Sequence, residues 1–263
     1  MTLLDVDDLS VRQADGHELL HGLSFTLARG ERLGLIGESG SGKSLTALAI
    51  LSLLPAGLTA HGSVLVSGTQ VVGAADRRLD RVRGRAVSAV FQEPLMALDP
   101  LMRIGRQIAG PLRRRRGLRG AALRAAVLAA LEEVRLPERI ASAYPHEVSG
   151  GQRQRAAIAM ALACEPDLLI ADEPTTALDV SVQAEVLALL DGLVAEKGMA
   201  LLFIGHDLAV VAGVADRLIV LRDGAVVESG RTEDIVKEPR HTYTRSLVHS
   251  AWEFEAELDR LAP

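Results

Sequence analysis

Gly37-Glu38-Ser39-Gly40-Ser41-Gly42-Lys43-Ser44 is the stretch on which the fold turns. It fits G-x-x-x-x-G-K-[ST], in which glycines let backbone N–H groups wrap phosphates, the lysine neutralises the outer ones and the serine hydroxyl reaches Mg²⁺. The flanks agree. Residues 31–36 read as a short buried strand entering the loop, and residues 45–51 as a helix whose N-terminal dipole faces the phosphates. With glycine at about 7% of residues in general, a chance match in such a chain is roughly a one per cent event, so a mere Gly/Ser turn is a poor account of it. A phosphate loop alone leaves kinases, GTPases, helicases and transport motors open.

Two further segments narrow the choice. Leu168-Leu169-Ile170-Ala171-Asp172-Glu173 is an apolar run ending in two acids, as expected of a buried parallel strand presenting carboxylates at the carboxyl edge of its sheet. Asp172 is placed to hold Mg²⁺ through water, and Glu173 to polarise an attacking water as general base. Downstream of the loop, Val148-Ser149-Gly150-Gly151-Gln152 precedes a helical stretch that runs to Leu162, which puts Ser149 at or near an N-cap. Its two glycines leave room for a phosphate to approach, and the helix terminus favours negative charge.

In the order of these segments the sequence resembles the ATPase subunit of ATP-binding cassette (ABC) transporters over nearly its whole length. After the phosphate loop come Gln92 in Val90-Phe91-Gln92-Glu93-Pro94, the signature Val148 to Gln152, the acidic strand, the Ala177-Leu178-Asp179 turn, and His206 in Ile204-Gly205-His206-Asp207. The resemblance implies that Gln92 senses the γ-phosphate and Mg²⁺, that Asp179 contacts a partner subunit, and that His206 steadies the γ-phosphate and attacking water. It further implies that Ser149, Gly150, Gly151 and Gln152 serve the nucleotide of a facing subunit, so that two ATP molecules are sandwiched in a head-to-tail dimer. The implied fold is α/β, a P-loop NTPase cassette with a mainly parallel core sheet, an N-terminal antiparallel β subdomain and an inserted helical lobe.

Composition agrees with one such domain. At 263 residues and 48% apolar content the chain can bury a large core. Apolar runs such as Leu45 to Leu54 end well short of a membrane span, and Met1 to Asp8 lack the basic start and apolar core of a signal peptide, so the expected location is the cytoplasmic face of the membrane. The single Cys164 excludes an internal disulfide and any cysteine cluster. A net charge of −5 argues against general nucleic-acid binding. The run Arg113 to Arg116 reads as a solvated helix end, with attraction to anionic lipid as the weaker alternative. Lysine occurs only at Lys43, Lys197 and Lys237, which makes the loop lysine the more telling.

Along the chain, Leu4, Val6, Leu9 and Val11, then Leu23, Phe25 and Leu27, alternate with polar residues as half-buried antiparallel strands, continued by Val64 to Val66. Apolar strands near 33–36, 87–91, 168–171, 200–204 and 218–221 alternate with helical stretches, which predicts a parallel sheet. Between Gln92 and the signature, Leu123, Val127, Leu131 and Val134 recur at helical spacing. The expected division is a catalytic core with β subdomain at 1–92 and 165–230, a helical lobe at 93–164 and a C-terminal tail at 231–263.

Local strings narrow the resemblance to the dipeptide, oligopeptide and nickel import group: residues 44–51, 91–100, Tyr144-Pro145-His146-Glu147, and Pro239-Arg240-His241-Thr242-Tyr243-Thr244-Arg245-Ser246-Leu247. This implies an importer motor working with a second cassette, identical or not, two permease subunits and an extracytoplasmic binding protein. Peptide-import members commonly carry a longer C-terminal extension with clustered cysteines. This chain runs to Pro263 without one, which is similar to the nickel-import ATPase subunit and keeps nickel or a metal chelate open as cargo. No aromatic precedes Phe25, where the family usually stacks adenine near Val11 to Ala14; Arg12, Gln13 or His17 is left as a weaker platform. An exporter motor shares the chemistry. A nucleic-acid ATPase of the same fold fits less well, because Lys43 and Ser149 lie only 106 residues apart, without heptads or cysteine pairs between them.

Overall fold

The computed structural model describes residues 2–92, 97–176 and 178–261. Glu93 to Met96 of the Gln92 string and Ala177 of the Asp179 turn lie outside the described residues. In chain order the elements are β1 (Thr2–Gln13), β2 (Glu18–Ala28), β3 (Arg32–Ile36), α1 (Lys43–Ile50), β4 (Leu58–Val66), β5 (Thr69–Gln70), α2 (Asp76–Val82), β6 (Val87–Val90), α3 (Ile104–Arg116), α4 (Gly120–Glu133), α5 (Gly150–Leu162), β7 (Leu168–Asp172), α6 (Val180–Lys197), β8 (Ala200–Gly205), α7 (Leu208–Ala212), β9 (Arg217–Arg222), β10 (Ala225–Arg231), α8 (Thr232–Lys237) and α9 (Thr242–Leu261). They fall into two compact units, Met1–Ala74 with Leu201–Pro263, and Ala75–Ala200. No described helix is long and apolar enough to cross a membrane.

The first unit opens with an antiparallel sheet in the order β2-β1-β4-β5. Leu4, Val6, Leu9, Val11, Leu23, Phe25 and Leu27 are all buried, as the alternation requires. The most deeply buried positions in β1 change from even, Leu4 and Val6, to odd, Leu9 and Val11, and the structure supplies the reason. The pairing with β2 shifts register there, and Asp8 takes a left-handed φ of 51°, so an extra residue turns the following side chains over.

The same unit contains the strand that feeds the phosphate loop. β3 lies between β8 and β9, parallel to both, with Ile36 opposite Gly205 on one side and Val220 on the other. Leu33, Leu35 and Ile36 are fully buried, each contributing about 1.5–3 kcal/mol of gross burial, which anchors the strand where the loop departs. β9 turns back antiparallel into β10. The turn is Asp223-Gly224, with φ of 48° and 77°, the sign a two-residue type I′ hairpin needs at both positions.

In the second unit β6 and β7 pair in parallel, Val87 opposite Leu168 and Val90 opposite Ala171. The inserted helices are amphipathic as expected: α3 buries Ile104, Ile108 and Leu112, and α4 with its following turn buries Val127, Leu131 and Val134. Arg113 to Arg116 form the last turn of α3, where cations meet the negative end of the helix dipole. Arg115 and Arg116 pair with Asp80 and Glu165.

Candidate functional site

In the first unit the loop leaves β3 at Gly37 and enters α1 behind Gly42. A side chain at Gly37 would collide with the Leu221 carbonyl of β9 and come within 2.6 Å of the Ser41 hydroxyl, so the tight turn needs a residue without Cβ. α1 has no side-chain cap at its N-terminus, which leaves the positive end of its dipole to act on an anion. Lys43, only 5% exposed, donates from Nζ to the Gly37 and Glu38 carbonyls at 2.7 and 2.8 Å, curling the loop around its ammonium. An uncapped helix start, a buried lysine and an open position at Gly40, where a Cβ would meet nothing within 4 Å, together fit a phosphate chain.

His206 follows β8 directly, and the pairing of Ile36 with Gly205 brings it to the same sheet edge as the start of the loop. It is exposed. The next residue, Asp207, caps α7 by accepting from the Ala209 and Val210 N–H groups. Near the expected adenine platform, Arg12 is paired with Glu18 across the β1–β2 turn at 3.4 Å.

Sequence reasoning treated residues 239–247 as a family string without a task, yet the structure brings one of them to the loop. Tyr243 of α9 is 5% exposed, and its hydroxyl accepts from the Glu38 backbone N–H at 2.9 Å. Burial pushes its pKa above the ordinary value, helped by the Glu38 charge and opposed by that N–H bond and by Arg222, so the phenol stays neutral. The Arg222 guanidinium lies 5.1 Å from the centre of its ring.

In the second unit, the pairing of Val90 with Ala171 puts the residues after β6 and β7 at one edge. Gln92 is exposed two residues beyond β6, and Asp172 is the last residue of β7, 5% exposed. A buried carboxylate at a strand end fits a hard divalent cation. Glu173 follows with a left-handed φ of 46°, and its carboxylate accepts from the Thr176 hydroxyl at 3.0 Å. Positive φ in a residue with a long side chain is a strained conformation of the kind held at functional sites.

Ser149 caps α5 as its spacing predicts. Its hydroxyl accepts from the Gln152 N–H at 3.3 Å and the Gln152 side chain accepts from the Ser149 N–H at 3.1 Å, a complete capping box. The two glycines differ. A Cβ at Gly150 would make ordinary contact with Leu178 at 3.5 Å, whereas one at Gly151 would press on Val182 Cγ1 of α6 at 2.6 Å. Gly151 thus lets two helices pack, a role the motif did not reveal. Asp179 caps α6: Val182 N–H and the Ser181 hydroxyl donate to Oδ1, and these bonds hold its pKa below the ordinary carboxylate value. Arg135, Pro137, Ser149, Gln152, Arg155 and Glu185 line a groove of about 260 Å³ beside the signature.

A phosphate loop at the end of a parallel strand, an acidic strand and a capped, glycine-bearing second helix define a nucleotide-binding cassette of the P-loop class. Residues 20–176 match the ABC transporter family, and the chain belongs to it as an ATPase cassette. It is 48% identical over 253 residues to the peptidoglycan transport ATP-binding protein YejF of Agrobacterium fabrum, covering 94% of this chain and 46% of that protein. It is 43% identical over 255 residues to the oligopeptide transport ATP-binding protein OppD of Bacillus subtilis, covering 94% of this chain and 71% of the relative. Among solved structures, it is similar to an ATP-binding cassette determined as a dimer in a post-hydrolysis state with ADP and Pi, with a TM-score of 0.77 and 29% identity over 87% of this chain and 98% of the other.

Proposed function

We propose that this chain is the ATP-hydrolysing motor of an ABC importer for peptides, working at the cytoplasmic face of the membrane with a second cassette, two permease subunits and an extracytoplasmic binding protein. The observation that carries the reading is that one chain holds both a phosphate loop, with Lys43 buried in it, and a second capped helix start at Ser149 to Gln152. In this reading that helix serves the phosphate loop of a facing cassette. The dimeric relative with ADP and Pi supports this arrangement.

In this reading Gly37 to Ser44 hold the ATP phosphates, and Ser149, Gly150, Gly151, Gln152 and Asp179 meet the partner cassette. Ser44, Gln92 and Asp172 would hold Mg²⁺, which supplies charge neutralisation on the β- and γ-phosphates when bound. Glu173 accepts a proton from the attacking water, and His206 steadies that water. The core at 1–92 and 165–230, the lobe at 93–164 and the tail at 231–263 are its functional divisions. The two relatives act in peptidoglycan and oligopeptide transport by name, which puts peptide cargo ahead of nickel, and transport ahead of nucleic-acid work.

The test is Glu173→Gln with its cognate cassette. Saturated with Mg-ATP, this variant is expected to keep its nucleotide and to scatter as a trapped dimer while wild type turns over and separates. Unchanged turnover removes Glu173 as the base, and the absence of nucleotide-dependent pairing overturns the sandwich.

A further inference from the structure

The Gly37–Glu38 peptide is gripped at both ends. Its carbonyl, on Gly37, accepts from Lys43 Nζ at 2.7 Å; its N–H, on Glu38, donates to the Tyr243 hydroxyl at 2.9 Å. The two bonds act on one rigid plane, and polarising the N–H side strengthens the carbonyl as an acceptor. Tyr243 is itself firmly placed. Its ring is buried against Arg222, and the start of its helix is clamped because the Glu228 carboxylate of β10 accepts from the Arg240 and His241 N–H groups at 2.9 and 3.0 Å.

We infer that Tyr243 is a positioning residue for the phosphate loop: through its hydroxyl the C-terminal helix fixes the peptide that holds Lys43, and so sets the affinity of the loop for a nucleotide triphosphate. The inference rests on the reading of residues 37–44 as the nucleotide's phosphate cradle. Tyr243 bonds the loop through the Glu38 N–H. It acts by keeping the peptide from rotating, so the lysine and the loop N–H groups are already arranged when the anion arrives.

Tyr243→Phe removes the hydroxyl and keeps the ring, its burial and its contact with Arg222. The full chain is titrated with Mg-ATP, the backbone amide of residue 38 is followed by NMR, and unfolding is measured in parallel. The expected result is Mg-ATP binding about 3- to 10-fold weaker, the loss of one such hydrogen bond, with a displaced residue 38 amide and turnover at saturating ATP unchanged. Wild-type affinity in Tyr243→Phe overturns the inference, whatever its stability. Glu228→Gln is the second variant, since it loosens the tail without touching the loop. Weakening by Glu228→Gln that vanishes in the Tyr243→Phe background supports the relay through the hydroxyl; full additivity overturns it. Lys43→Ala tells the two levels apart, because undiminished Mg-ATP binding there refutes the cradle itself.

Discussion

Gly151→Ala separates two reasons for a glycine in the signature. The new methyl would sit 2.6 Å from Val182 Cγ1, about 1 Å closer than carbon atoms pack. Val182 is β-branched and in the first turn of α6, so its χ1 cannot simply swing aside. Nor can the helices part freely, since Arg155 of α5 and Glu185 of α6 are joined at 2.6 Å with the arginine largely buried. Overpacking of this kind costs about 1–3 kcal/mol, and alanine in place of glycine in a helix returns at most about 1 kcal/mol. The net expectation is a loss of up to about 3 kcal/mol. Val182→Ala alone gives up roughly 1 kcal/mol of half-buried methyl surface. The double variant removes the overlap, so urea unfolding is expected to show it more stable than the sum of the two losses by about 1–3 kcal/mol. A Gly151→Ala protein more stable than wild type, or strict additivity with Val182→Ala, refutes the packing argument. If the double variant, its stability recovered, also recovers Mg-ATP-dependent pairing, the glycine is there for Val182. Persistent loss of pairing assigns it to the phosphate as well.

Two further outcomes follow from the caps and the tail. Ser149→Ala breaks the capping box and is expected to cost about 1 kcal/mol in urea unfolding, while Ser149→Asp keeps the cap and its stability but, on the function proposed, abolishes nucleotide-dependent pairing by setting a carboxylate against a phosphate; wild-type pairing in Ser149→Asp contradicts this. Burial works against the charge of Glu228, but bonds from the Arg240 and His241 N–H groups, with the Arg240 charge, hold its pKa below the ordinary value. Its contribution is therefore full above the unfolded value of about 4.3 and lost as pH falls through the lower folded value. The Tm difference between wild type and Glu228→Gln is expected to be widest above about pH 5 and to close on acidification; a pH-independent difference refutes the assignment.

What the sequence made legible is local. The phosphate loop, its strand and its helix are one continuous run, and their chemistry is written in glycines, a lysine and apolar neighbours. The Ser149 cap declares itself through the serine and the glutamine three residues later. The parallel strands at 33–36, 168–171 and 200–204 show as unbroken apolar runs because both faces are buried. Less legible was β10, although Asp223-Gly224 is a strong hairpin signal; its burial is too partial for an alternation to stand out. The bulge at Asp8 was legible only in part. The apolar positions switch from even, Leu4 and Val6, to odd, Leu9 and Val11, but only the partner strand shows where the register slips.

Contacts between distant segments leave no periodicity at all, and the loop shows why that matters. Glu38 and Tyr243 are 205 residues apart. Nothing around residue 38 asks for a phenol, and nothing around residue 243 asks for a peptide N–H. Their meeting depends on β9 lying beside β3, on the hairpin that carries β10 back, and on Glu228 in β10 catching the N–H groups at 240 and 241 just before α9 begins. Each step is a pairing or a capture that the preceding one makes possible. The consequence is that a loop whose sequence reads as self-sufficient is held from outside by the last helix of the chain. A change in the pose of that helix is therefore expected to reach Lys43 through a single peptide plane, without any rearrangement of the glycines that define the motif.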